Sequence, residues 1–296
     1  MKRFNISKEC FEKEYFEKSL LYINSAFDPD EYGWEEFGQD FFALEPGLGT
    51  VRLYRGGRVD RQVYQQAAQH NEEIGFKFDK ASFSAILNDG GSMVVNRFEK
   101  NSRYVADLCR ELSELCGHAT VGNAYATKGG TGTFGKHWDS HCVFAVQLIG
   151  KKHWKVYRPS VDLPLSTQNG ISRAAPTDTE MVFDGILAAG DVLYIPRGWW
   201  HEVHPIAGQP SLHIAVGIHT PKVIDYLKWL LMNKMSSQIV FRESMSLTKF
   251  DDASIAEAAQ LLMSSSISSE SYEEYLNALK TSLAEKPYID FATIFK

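Results

Sequence analysis

The residues best placed to do chemistry begin at His137-Trp138-Asp139. In an extended segment side chains alternate between faces, so His137 and Asp139 point one way and Trp138 the other. An imidazole beside a carboxylate offers two ligands of a facial metal site. A third ligand is expected from a neighbouring strand, and His201 is the best candidate. It follows a Gly190-Asp191 turn, a short apolar run from Val192 to Ile195, and a Pro196-Arg197-Gly198 bend. Two imidazoles and one carboxylate on one face of an octahedron leave three positions open. That suits non-haem Fe(II) holding a co-substrate and O₂ together. A lone His-x-Asp triplet arises by chance, and nine histidines multiply the pairings. His141 shares strand parity with His137 and Asp139, and His204 lies just past His201; both compete as ligands or serve as pocket or surface residues.

The elements that must position these residues are legible in outline. Tyr104, Val105, Leu108, Cys109, Leu112, Leu115 and Cys116 recur at spacings of three and four, which predicts a helix over 101–116. Asn101 or Ser102 can cap its start and Gly117 its end. Short β-type runs follow at Val143–Ile149, His153–Tyr157, Val192–Ile195 and Leu212–Ile218, separated by Gly- and Pro-bearing turns. Their spacing predicts an antiparallel sandwich or barrel. After Thr220-Pro221 the pattern turns helical. Val223 to Met235 carries an apolar stripe, Ser254-x-x-Glu257 and Ser271-x-x-Glu274 read as capping boxes, and Pro287 stops the last helix. The expected division is a mixed α/β part over 1–119, a β core over 120–220 and a helical region over 221–296.

Composition narrows the function classes. The 296 residues carry a formal net charge of −6, which gives no general affinity for nucleic acid, so no direct nucleic-acid partner is expected. No stretch approaches 18 apolar residues, so no membrane span is expected. Met1 to Phe16 is rich in charge without an apolar core, unlike a signal peptide. Cys10, Cys109, Cys116 and Cys142 are few and unpatterned, and read as reduced thiols of a cytoplasmic protein. Patterns for dinucleotide, nucleotide triphosphate or Cys-x-x-Cys metal chemistry do not occur.

Taken in order, Asn123-Ala124-Tyr125, the Gly-rich stretch from Lys128 to Gly135, His137-Trp138-Asp139, the run from Val143 to Trp154, and the Gly190-Asp191 to His201 block resemble the cupin-type JmjC-like oxygenases. That family includes the ribosomal oxygenases. The resemblance implies a mainly β core, a double-stranded β-helix, with helical N-terminal elements and a helical C-terminal region. It implies Fe(II) held by His137, Asp139 and His201, with 2-oxoglutarate as co-substrate. It assigns Lys152 to the distal carboxylate of 2-oxoglutarate, since a dicarboxylate bound to iron at one end needs a cation at the other. Asn123, Ser211, Tyr125 and Thr133 are implied as polar residues of the same pocket. Trp199 and Trp200 read as core packing.

The expected function is therefore that of a 2-oxoglutarate-dependent dioxygenase. It would hydroxylate a C–H bond of a protein or peptide side chain, such as that of a ribosomal protein. The Val223–Met235 stripe would serve a homodimer or pack on the β core. Two departures bear on substrate: Ser140-His141-Cys142 stands where family members often carry an acidic residue, and the C-terminal region is short. A rival reading keeps the chemistry on a small molecule or biosynthetic peptide. Rivals of another class are a metal-binding cupin acting without 2-oxoglutarate, and a non-catalytic binding module.

Overall fold

The structure, a computed structural model, describes residues 4–44, 46–47, 49–70, 73–130, 132–168, 175–246, 252–265 and 267–283. Contacts gather Met1–His219 into one unit and Thr220–Lys296 into a second.

The described residues of the first unit form twelve strands: β1 (Leu21–Ile23), β2 (Val51–Tyr54), β3 (Gln65–His70), β4 (Glu73–Phe78), β5 (Ser92–Val95), β6 (Ala119–Thr127), β7 (Cys142–Ile149), β8 (Lys151–Tyr157), β9 (Met181–Ala188), β10 (Val192–Ile195), β11 (Trp200–Pro205) and β12 (Ser211–His219). Seven form one antiparallel sheet in the order β1-β10-β7-β12-β6-β5-β2. β11, β8 and β9 form a second antiparallel sheet, and β3 and β4 a hairpin. The first 119 residues thus add three strands to the sheet that the later strands build. Its helices are α1 (Lys8–Cys10), α2 (Trp34–Phe42), α3 (Lys80–Asn88) and α4 (Arg103–Cys116).

Strand parity sorts the side chains of the large sheet between two cores. Phe144, Val146, Leu148, Val192, Tyr194, Leu212, Ile214 and Val216 face the helical side, with Phe11, Phe37, Leu108 and Leu112. Val143, Ala145, Leu193 and Ile195 face the other way and meet Trp154, Val156 and Leu187 of the three-stranded sheet. Central strands buried on both faces must be apolar throughout, which is why β7 is an almost unbroken hydrophobic run. α4 forms as the periodicity predicts: the Ser102 hydroxyl accepts the Val105 N–H at 3.2 Å, and Gly117 ends the helix at φ 71°.

The second unit contains α5 (Val223–Asn233), α6 (Asp252–Ser265) and α7 (Ser269–Leu283). Tyr226 hydrogen-bonds Ser271 at 2.6 Å, and Trp229 packs on Tyr275. Two expected caps are displaced. Ser254 lies inside α6, because the helix already runs from Asp252. At α7 the cap is Ser268, whose hydroxyl accepts the Ser271 N–H at 3.1 Å, so Ser271 stands one turn inside. At α6 the helix starts two residues before Ser254, and at α7 the neighbouring run of serines supplies an earlier cap. Pro287 lies outside the described residues. Among the described residues no helix is long and apolar enough to cross a membrane.

One turn ties the fold to the chemistry. Gly150 joins β7 to β8 at φ 67°, and a Cβ there would collide with the Pro210 carbonyl oxygen. Gly150→Ala is expected to lower unfolding free energy by about 2 kcal/mol or more, measured by chemical denaturation.

Candidate metal centre and adjoining cavity

His137 and Asp139 lie in the connection between β6 and β7, and His201 lies on β11. The expected strand through 137–139 is reduced to a single bridge, His137 to His201, because the glycines at 129, 130 and 132 take positive φ and break the ladder before it. That bridge suffices. The His137 N–H donates to the His201 carbonyl at 2.9 Å, and the His201 N–H returns to the His137 carbonyl at 2.7 Å. The Gly198 N–H donates to the Asp139 carbonyl at 2.8 Å. The bend before His201 is anchored in turn by buried Arg197, which pairs with Glu17 at 2.7 Å and donates to the Pro164 carbonyl at 3.1 Å.

The ligand atoms of His137, Asp139 and His201 all lie within 4.8 Å of one another. His137 Nδ1 is 2.8 Å from the Gly135 carbonyl, and His201 Nδ1 is 3.1 Å from the Trp199 carbonyl. A carbonyl only accepts, so each Nδ1 carries the proton and each Nε2 presents a lone pair. This is how outer hydrogen bonds fix a ligating tautomer. Burial, then the neighbouring His137, pushes the His201 imidazole down to about 4. Burial raises the Asp139 carboxyl, but His201, His141 and His137 together outweigh it, and the net shift is downward. Neutral imidazoles and an ionised carboxylate are the states a cation needs. Two nitrogens, one oxygen and open positions fit a divalent first-row metal such as Fe(II).

The triad opens on a small cavity of about 70 Å³. Lys152, only 3% exposed, lines the same cavity. The Lys152 ammonium donates to the Tyr125 carbonyl at 3.1 Å and to His213 Nδ1 at 2.7 Å. No carboxylate pairs with it among the described residues. Burial alone pushes its pKa down to about 7. A buried cation with only neutral partners is costly, and an incoming anion would relieve that cost. The cavity therefore has a cation-binding end and an anion-binding end.

The other expected residues divide. Tyr125 and Thr133 line the cavity. Asn123 does not; its amide oxygen accepts the Arg97 N–H at 2.9 Å. Ser211 is fully buried opposite Thr127, off the cavity, with its hydroxyl unpartnered. His141 stands outside the triad, its ring against Gly217 and His219. His204 pairs with Glu202 at 3.2 Å on the exposed side of the three-stranded sheet. Trp199 and Trp200 are buried, the latter donating to Ser160. Among the cavity residues that sequence reasoning left unassigned are Phe134 and His213. Phe134 packs edge-on between His137 and Tyr54, and His213 lies flat on Tyr125 with ring centroids 4.9 Å apart.

Residues 93–226 match the family model described as a JmjC domain. The chain is 36% identical over 160 residues to the bifunctional lysine-specific demethylase and histidyl-hydroxylase NO66 of Brugia malayi, covering 53% of this chain and 20% of that protein. It is 29% identical over 211 residues to ribosomal oxygenase 1 of Gallus gallus, covering 70% of this chain and 34% of the relative. The chain thus spans a fifth to a third of these two relatives. Among solved structures, the Escherichia coli ribosomal oxygenase YcfD, in complex with cobalt and 2-oxoglutarate, superposes with a TM-score of 0.59. That match covers 92% of this chain and 70% of YcfD at 15% identity, a likeness of fold. The chain has a JmjC/cupin fold. Over residues 93–226 it is similar to the JmjC-like proteins that include the ribosomal oxygenases.

His137→Ala and Asp139→Ala should each weaken binding of Mn(II) or Co(II) by more than about a hundredfold, beyond what loss of an outer partner produces, as read by titration calorimetry. His204→Ala should leave that affinity unchanged.

Proposed function

We propose that this chain is an Fe(II)- and 2-oxoglutarate-dependent oxygenase that hydroxylates a C–H bond of a protein or peptide side chain. The observation that carries the reading is the pairing, in one cavity, of a facial His-Asp-His set with a buried ammonium that no carboxylate among the described residues neutralises. A metal-binding cupin acting without 2-oxoglutarate has no use for that ammonium. The match of NO66 and ribosomal oxygenase 1 to this chain supports a polypeptide substrate, with a ribosomal protein as the first class to test. We extend the reading to a double-stranded β-helix, supported by successive strands from β7 to β12 that pass between two sheets sharing one core. A reducing cytoplasmic setting is supported by four free thiols. A homodimer through α5 is supported by exposed Val223 and Met232.

Bound Fe(II), with 2-oxoglutarate and O₂, supplies oxidation of an unactivated C–H bond: one oxygen enters the product hydroxyl, the other enters succinate, and CO₂ leaves. The chain's own residues do the rest. His137, Asp139 and His201 would hold the metal from one side and leave the other for reactants. Lys152 would hold the distal carboxylate and so fix the co-substrate's orientation. Val143, Trp154 and Phe134 form apolar walls that limit water beside the metal. Asp139 offsets part of the metal's charge, and no residue is needed as a general base.

Lys152→Ala should weaken 2-oxoglutarate binding by about thirtyfold or more, as truncating one partner of a buried charge pair does. Undiminished affinity would contradict the reading. The pH dependence has a definite sign. Below pH 7 the free chain carries the Lys152 ammonium; above it the amine is neutral, so binding the dianion takes up a proton. The 2-oxoglutarate Kd should therefore rise above pH 7, by up to about tenfold per unit, in calorimetric titrations.

A further inference from the structure

We propose that Arg52 and Arg58, on β2 and the turn that follows it, select acidic residues of the polypeptide substrate beside the side chain to be oxidised. The inference rests on the oxygenase reading above and names the substrate class of that site. The sequence sets four arginines three residues apart, at 52, 55, 58 and 61, in a chain whose net charge is −6. β2 carries the first. Gly56 and Gly57 then take φ 65° and 149° and reverse the chain, so that Arg58 bridges back to Tyr54. Residues two apart on a strand share a face, and so do residues directly opposite across an antiparallel pair. Arg52, Tyr54 and Arg58 therefore project from one face of the sheet. That face is the cavity side. The Tyr54 ring packs edge-on against Phe134 at 5.3 Å, and Phe134 packs edge-on against His137 at 5.5 Å. Val51 and Leu53 point the other way, into the helical core.

Among the described residues neither Arg52 nor Arg58 forms an ion pair, whereas Arg55 pairs with Asp89 at 3.0 Å. Arg52 Nε is buried without a hydrogen-bond partner, and Arg58 is exposed. The Arg52 guanidinium is near enough to Tyr125, a cavity residue, to favour ionisation of that phenol, although burial dominates and raises it. The carboxylate next to Arg58 in sequence, Asp60, accepts the Gln62 N–H at 2.9 Å and caps the following turn. A half-buried guanidinium with its fork free suits a carboxylate, which it meets by two parallel hydrogen bonds. A long polyanion is the poorer match: two arginines make a short track, and the chain's own negative charge repels a polynucleotide beyond it. Two ring-to-ring steps separate Tyr54 from His137, and an extended chain advances about 3.3 Å per residue. The acidic residue therefore lies within about four residues of the oxidised one.

The test uses the full chain loaded with Mn(II) and 2-oxoglutarate under anaerobic conditions. Fluorescence anisotropy compares synthetic peptide mixtures of equal length, in which alternate positions are Asp/Glu, Ser/Gln or Lys/Arg and the rest are randomised. The acidic mixture should bind tightest. The double variant Arg52→Gln, Arg58→Gln should cut its advantage over the neutral mixture by about fivefold or more. The variant Arg52→Lys, Arg58→Lys keeps the charge without the fork and should recover part of that advantage. Unchanged affinity for Mn(II) and 2-oxoglutarate certifies that each variant is folded with its cavity intact. An acidic mixture bound no better than the neutral one overturns the proposal, as does an advantage kept in full by the double Gln variant. A single-stranded oligonucleotide that displaces the acidic mixture from wild type but not from that variant assigns the surface to nucleic acid and also overturns it. A wild-type chain that does not bind 2-oxoglutarate overturns the oxygenase reading, and this proposal with it, whatever the peptides do.

Discussion

A buried ammonium that lacks an anion is the constraint around which the site is arranged. Lys152 stands on the inward face of β8, between the glycine turn at 150 and Trp154, where apolar side chains would otherwise be expected. Its ammonium meets the Tyr125 carbonyl and one imidazole, both neutral. Such a group persists when the rest of the fold over-determines its position. Here a turn that needs a left-handed residue, a bulge on β12 and a pair of stacked rings all act on that one spot. Strain and desolvation are concentrated where a ligand can relieve them.

The metal end is built differently. His137 and Asp139 come from a segment with little regular structure, and two backbone hydrogen bonds tie His137 to His201 on β11. Arg197, buried against Glu17 and the Pro164 carbonyl, holds the bend from which His201 emerges. Outer carbonyls orient both imidazoles, so the donor set is organised by the chain itself. The two ends of the cavity are joined by the large sheet, whose strand parity turns Tyr125, Thr127 and His213 toward the cavity and their neighbours toward the helical core.

Much of this was legible in the sequence. The His-x-Asp step and the histidine after Pro-Arg-Gly are local patterns, and the strands that carry or flank them are short apolar runs with clear turn signals. The α4 helix could be read from periodicity and its caps from residue type, with Asn101 and Ser102 both offered for the start and Ser102 taking it. Lys152 carried a further signal: it alternates with Lys151 and His153 but shares parity with Trp154 and Val156, an apolar face. What could not be read depends on pairing between distant strands. His213 reaches the cavity through register with Tyr125 and a bulge, and no local pattern encodes either. Asn123 and Ser211 have the right residue types at plausible spacings, yet the first is taken up by the Arg97 backbone and the second is sealed beside Thr127. At α7 a four-residue motif misplaces the cap because several neighbouring serines can take it.

The central claim is that one cavity couples 2-oxoglutarate to the oxidation of a polypeptide C–H bond. The most direct measurement is an incubation of the protein with Fe(II), 2-oxoglutarate and a proteome of its own source under ¹⁸O₂. Mass spectrometry then locates the heavy oxygen. The account predicts one ¹⁸O in succinate and one on a specific side chain, both lost in His137→Ala. Succinate without label, or a labelling pattern identical in wild type and His137→Ala, would contradict it.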